Sequence, residues 1–120
     1  MAMRALRRMA PVWYTPDSQK DDPNPTRFKI RGLNGTEQGY IQPELKINET
    51  TRMVDGMSGR GLEQTLGYGL LDWENLVDED GSSQIAYSPL NFGRIDLITR
   101  TELAMQILAA SFVSPEEKKT

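Results

Sequence analysis

The clearest pattern in the chain lies towards its C-terminal end, where apolar residues fall at helical spacing once Thr101 is passed. Leu103, Ile107 and Ala110 or Ser111 share one face, and Ala104, Leu108 and Phe112 lie beside it. A helix with such a stripe must bury it against something else. Upstream, glycine and proline recur throughout, so the other elements are short. The expected fold class is α+β: a small N-terminal antiparallel strand pair, then mainly helical segments, with a short hairpin or loop around residues 71–87.

Residues 11–113 form the expected single domain, flanked by a basic N-terminal arm (1–10) and a charged C-terminal tail (114–120). Val12, Trp13 and Tyr14 are β-prone and stop at Pro16. In Thr26–Arg31 an alternating pattern puts Phe28 and Ile30 on one face. The intervening PDSQKDDPNP reads as a polar hairpin loop. A short helix capped by Asn34 or Thr36 follows, ending before Pro43. Lys46–Ser58 is polar and weakly patterned, and is expected to be mostly loop. Ser58 is placed as the N-cap of a helix running to about Leu70, with Leu62, Leu66 and Leu70 on one face despite Gly61, Gly67 and Gly69. Ser88 and Pro89 open a short helix to Arg94, and Thr101 is placed as the cap of the last helix.

With no histidine and no cysteine, the chain has no imidazole acid or base, no thiolate nucleophile, no disulfide and no Cys/His zinc site. The reading is therefore of a protein that is not an enzyme and carries no cofactor. A net charge of −3 offers no general attraction to phosphate backbones, so nucleic acid is not an expected partner. No apolar run approaches the roughly 20 residues of a membrane span, and no membrane partner is expected. The acidic run Asp72, Glu74, Asp78, Glu79, Asp80 lacks the alternating oxygens and later glutamate of a calcium loop, so no metal site is assigned. Its glycines match neither a P-loop nor a dinucleotide fingerprint. Trp13, Trp73 and Tyr87 suit a core better than an aromatic binding surface, although a half-exposed Trp73 beside acids would suit a protein contact.

Five segments carry a family resemblance in order along the chain: PVWYTP, NPTRFKIRGLNG, GYGLLDWENLVDEDG, YSPLNFGRI and TELAMQILAASFVSPEEKK. Together they resemble the tail assembly chaperones of long-tailed bacteriophages and prophages. The resemblance implies a protein that binds the tape-measure protein, keeps it soluble in the host cytoplasm and is scarce in the mature virion. It also implies recruitment of tail-tube protein, in this family often through a frameshifted longer form. Self-association into a homo-oligomer stays open. The apolar surfaces assigned to binding are Trp73, Leu76 and Val77, together with Leu103, Ile107, Leu108 and Phe112 of the last helix. A minor virion component of tail or connector, or a small phage inhibitor of a host protein, are the alternatives.

Overall fold

A computed structural model of the chain describes residues 2–3 and 10–111. The basic arm therefore falls mostly, and the charged tail wholly, outside the described residues. The architecture is α+β, with an antiparallel strand pair near the N-terminus followed by helices.

Strand β1 (Val12–Tyr14) and strand β2 (Arg27–Ile30) pair antiparallel, with Tyr14 opposite Phe28 and Val12 opposite Ile30. Alternation then separates the faces of β2: Phe28 and Ile30 are buried, while Arg27 and Lys29 stay partly exposed. Arg27 stacks over the Trp13 ring at 5.4 Å from its centroid and donates from Nε to Glu74 at 2.5 Å. Both contacts belong to the solvent side of the sheet, which accounts for a tryptophan tolerated there.

Helix α1 (Gly35–Ile41) starts with a capping box. Asn34 accepts from the Glu37 amide, and the Glu37 carboxylate accepts from the Asn34 amide. Pro43 lies in a 3-10 turn, Gln42–Glu44, where the chain leaves helical geometry. The next segment departs from its expected loop character. Leu45–Ile47 (β3) and Val54–Met57 (β4) pair antiparallel as a hairpin. Its turn is organised by Asn48, whose side chain accepts from the amides of Thr50 and Thr51, while Arg52 takes a positive φ of 61°. Glycine and charged residues populate the strands because one face meets solvent, and that erased the alternation expected of a strand.

Helix α2 (Gly59–Gly69) is capped as expected by Ser58, whose hydroxyl accepts from the Gly61 amide. Leu70 ends the helix and opens strand β5 (Leu70–Glu74) without a linker. β5 pairs antiparallel with β2, Trp73 opposite Phe28, so the sheet has three strands in the order β1-β2-β5. The segment 71–87 thus contributes a sheet strand first and a loop afterwards. In that loop a single bridge joins Val77 to Gln84, and the Ile85 amide donates to the Leu76 carbonyl at 2.7 Å.

Pro89–Arg94 forms a 3-10 turn whose Leu90 amide donates to the Ser88 hydroxyl. Helix α3 (Leu97–Ser111) then begins four residues before the expected Thr101. Asp96 supplies the cap instead: its carboxylate accepts from the Thr99 amide at 2.9 Å and from the Thr99 hydroxyl at 2.7 Å. Thr101 is an exposed residue inside the helix. At the other end, the buried Ser111 hydroxyl accepts from the Leu33 amide, and Gln38 donates to the Ser111 carbonyl. These bonds tie α3 to the residues entering α1 and satisfy the Leu33 amide and the Ser111 carbonyl.

One apolar core joins Phe28 and Ile30 of β2, Leu33, Ile41 of α1, Leu62 and Leu66 of α2, Leu70 and Trp73 of β5, Ile95, and Leu103, Ala104, Ile107 and Leu108 of α3.

Candidate protein-binding surface

The residues assigned to binding from sequence are placed mainly in this core. Leu103 and Ile107 are wholly buried, Leu108 nearly so, and Trp73 is 6% exposed. Leu76 packs against the core half-buried, whereas Val77 is exposed. Phe112 lies outside the described residues. Side chains without exposed surface offer a partner no area to cover, so their apolar character is spent on closing the fold.

Trp73 serves as a latch. Its ring makes edge contacts with Phe28 at 6.2 Å and Tyr87 at 5.0 Å, and a tilted contact with Phe92 at 6.0 Å. Its indole nitrogen donates to the Ile85 carbonyl at 2.7 Å, while the Tyr87 hydroxyl donates to the Leu70 carbonyl at 2.7 Å. The Ile85–Phe92 segment is thereby held onto β5 by aromatic packing and two satisfied polar tips. Burial pushes the Tyr87 hydroxyl pKa up, with a further push from Asp72. Both effects keep Tyr87 a neutral donor.

This latch positions a different set of apolar side chains at the surface. In the 3-10 turn Leu90 is 93% exposed, and in the first turn of α3 Leu97 and Ile98 are 60% and 80% exposed. Two clefts flank α3. One, of about 360 Å³, lies between β4, the start of α2 and α3, and is lined by Met57, Leu62, Leu97, Thr101 and Met105 among others. The other, of about 350 Å³, is lined by Glu63, Leu66, Gly67, Pro89, Phe92, Gly93 and Arg100. Leu97 lines the first of these clefts, and exposed apolar surface in such a place is characteristic of protein contacts. Leu97 and Ile98 lie upstream of the helix that a cap at Thr101 predicts. The signal was present as Asp96 with Thr99 three residues on, a capping pair one turn earlier.

The acidic run is divided by the fold. Asp72 and Glu74 lie in β5, whereas Asp78 and Asp80 accept hydrogen bonds from Ser82 in a tight turn. Hydrogen bonds from Ser82 are the main reason the Asp80 carboxyl is pulled down to about 2. Glu79 pairs with Arg94 at 3.2 Å. Among the described residues, no three His, Cys, Asp or Glu side chains are grouped so as to hold a metal ion. No helix among them is long and apolar enough to cross a membrane.

Comparison with models of known families, with curated proteins and with solved structures finds no match to this chain.

Proposed function

We propose that this chain is a protein-binding assembly factor of the tail assembly chaperone type, which covers apolar segments of the tape-measure protein in the host cytoplasm. The observation that carries the binding half is the exposure of Leu90, Leu97 and Ile98, with Leu97 lining one of the two clefts of α3. Such side chains cost solvation in the free protein and gain from non-directional contact with an apolar partner. The lack of imidazole and thiol in the sequence supports the non-catalytic half. The choice of tape-measure protein as partner, of tail-tube protein as the second partner of a longer form, and of scarcity in the virion all rest on the resemblance of the five sequence segments.

Co-expression with the neighbouring tape-measure protein tests the reading. The tape-measure protein should stay soluble and co-purify with this chain. The triple variant L90S/L97S/I98S should retain native circular dichroism, since these side chains lie outside the core, and co-purify at least severalfold less. A tape-measure protein that neither gains solubility nor co-purifies would sink the chaperone reading. Many copies of the chain in purified virions would favour a structural tail component instead.

A further inference from the structure

Arg100 occupies a position that its helix reserves for apolar residues. Counting back along the buried stripe of α3 from Ser111 through Ile107, Ala104 and Leu103, the next place at a spacing of three to four is Arg100. Its Nε is fully buried and has no hydrogen-bond acceptor among the described residues. A buried, unanswered donor on a charged group costs more than a neutral one. The helix adds to the cost, because the N-terminal turns of α3 carry partial positive charge and disfavour a cation there.

Nearby carboxylates leave this donor unanswered: Asp96 feels the Arg100 charge but accepts no hydrogen bond from its Nε. Asp96 is engaged by the amide and hydroxyl of Thr99, and Glu79 by Arg94. Glu63 lines the same cleft but is exposed, and no ion pair among the described residues joins it to Arg100. The cleft around Arg100 has apolar walls in Leu66, Pro89 and Phe92. Two glycines line it, Gly67 and Gly93, and a Cβ at either would meet nothing within 4 Å. Open space, apolar walls and one unanswered guanidinium donor, the Arg100 Nε, therefore coincide. Residues that break several local rules at once are expected where a fold serves a ligand.

We propose that the Arg100 cleft receives an acidic, amphipathic segment of a partner protein, with a carboxylate answering the Arg100 guanidinium and an adjacent apolar side chain covering Phe92 and Leu66. The inference rests on the protein-binding reading above and adds the chemistry of what is bound. A carboxylate suits the guanidinium because charge-assisted, paired hydrogen bonds form in a site partly shielded from water.

The test uses the full chain and two labelled synthetic helical peptides of leucine and glutamate, identical except that the second carries glutamine for every glutamate. Fluorescence anisotropy should show the glutamate peptide binding about tenfold more tightly than the glutamine peptide, the scale of one charge-assisted contact. In Arg100→Leu the stripe becomes continuous, so thermal stability should hold or rise while the preference falls to near one. In Gly67→Ala the added methyl should weaken both peptides severalfold. Binding should shift the backbone amide resonances of Gly67 and Gly93. Equal affinity for the two peptides, a preference that survives Arg100→Leu, or no binding at millimolar peptide would each overturn the proposal. Loss of stability in Arg100→Leu would do so too, by showing a structural role. Co-purification of the tape-measure protein without peptide discrimination removes this cleft and leaves the chaperone reading standing; selective peptide binding without co-purification does the reverse.

Discussion

Gly67 and Gly69 are two residues apart in α2 and meet opposite surroundings. A Cβ on Gly69 would lie 2.5 Å from Ile107 Cγ2, with two more atoms of that buried side chain within 2.9 Å. The glycine is what lets α2 and α3 approach. Gly69→Ala should therefore destabilise the protein by about 2 kcal/mol or more through overpacking. Gly67→Ala meets open space and should stabilise by about 0.5–1 kcal/mol by removing backbone freedom from the unfolded chain. Urea denaturation of the two variants checks both signs. Glu37 gives a residue-level dependence on pH. Its carboxylate accepts from both Arg31 terminal nitrogens, at 2.8 and 2.7 Å, and from the Asn34 amide. Arg31 chiefly, with help from Asn34, holds its pKa below the ordinary value of 4.5. A depressed folded-state pKa contributes stability that is present above that ordinary value and is lost as pH falls through the depressed one. Asp96, lowered mainly by the Thr99 amide, acts in the same direction. Unfolding free energy should thus fall on acidification below about pH 4, and Glu37→Gln should be less stable at neutral pH with a shallower acid slope. An unchanged slope would show that Glu37 is not a source of the acid sensitivity.

At the scale of elements, the start of α3 can be decided by two substitutions. Asp96→Ala should cost about 1 kcal/mol because it removes the cap, whereas Thr101→Ala should stay within about 0.5 kcal/mol. The reverse order, read by thermal melting, would return the helix start to Thr101. Much of the fold was legible in the sequence where side chains perform a local backbone task. Asn34, Ser58 and Ser88 each cap the element they precede, and Phe28 and Ile30 announce the inner face of β2. The β3–β4 hairpin was not legible, because its pairing is made by backbone groups and its strands carry Lys46, Asp55 and Gly56. The surface proposed for binding was hidden for a different reason. Apolar periodicity reports which residues can be buried, and the fold uses Leu103, Ile107, Leu108 and Trp73 for itself. Surface apolar residues such as Leu90 and Ile98 have no period to betray them.

For the whole molecule, a single core drawing on β2, α1, α2, β5 and α3 implies one cooperative transition. The fluorescence of Trp73, buried in that core, and the helical circular dichroism should lose their native signals at the same denaturant concentration. Because Trp13 is exposed, Trp13→Phe isolates the Trp73 signal. Two separated midpoints would divide the core into independent parts. The β3–β4 hairpin supplies only partly buried residues, Leu45, Val54 and Met57, so its amides should exchange with deuterium before those of β2 and β5.

The bonds holding Ser111 to Leu33 and Gln38 also have a directional consequence. From Leu97 to Ser111 the helix advances about 21 Å, so the bonds to Leu33 and Gln38 sit a helix length away from Leu97 and Ile98. The first turn of α3 can therefore fray without breaking the Ser111 bonds, which moor the helix from far along its length.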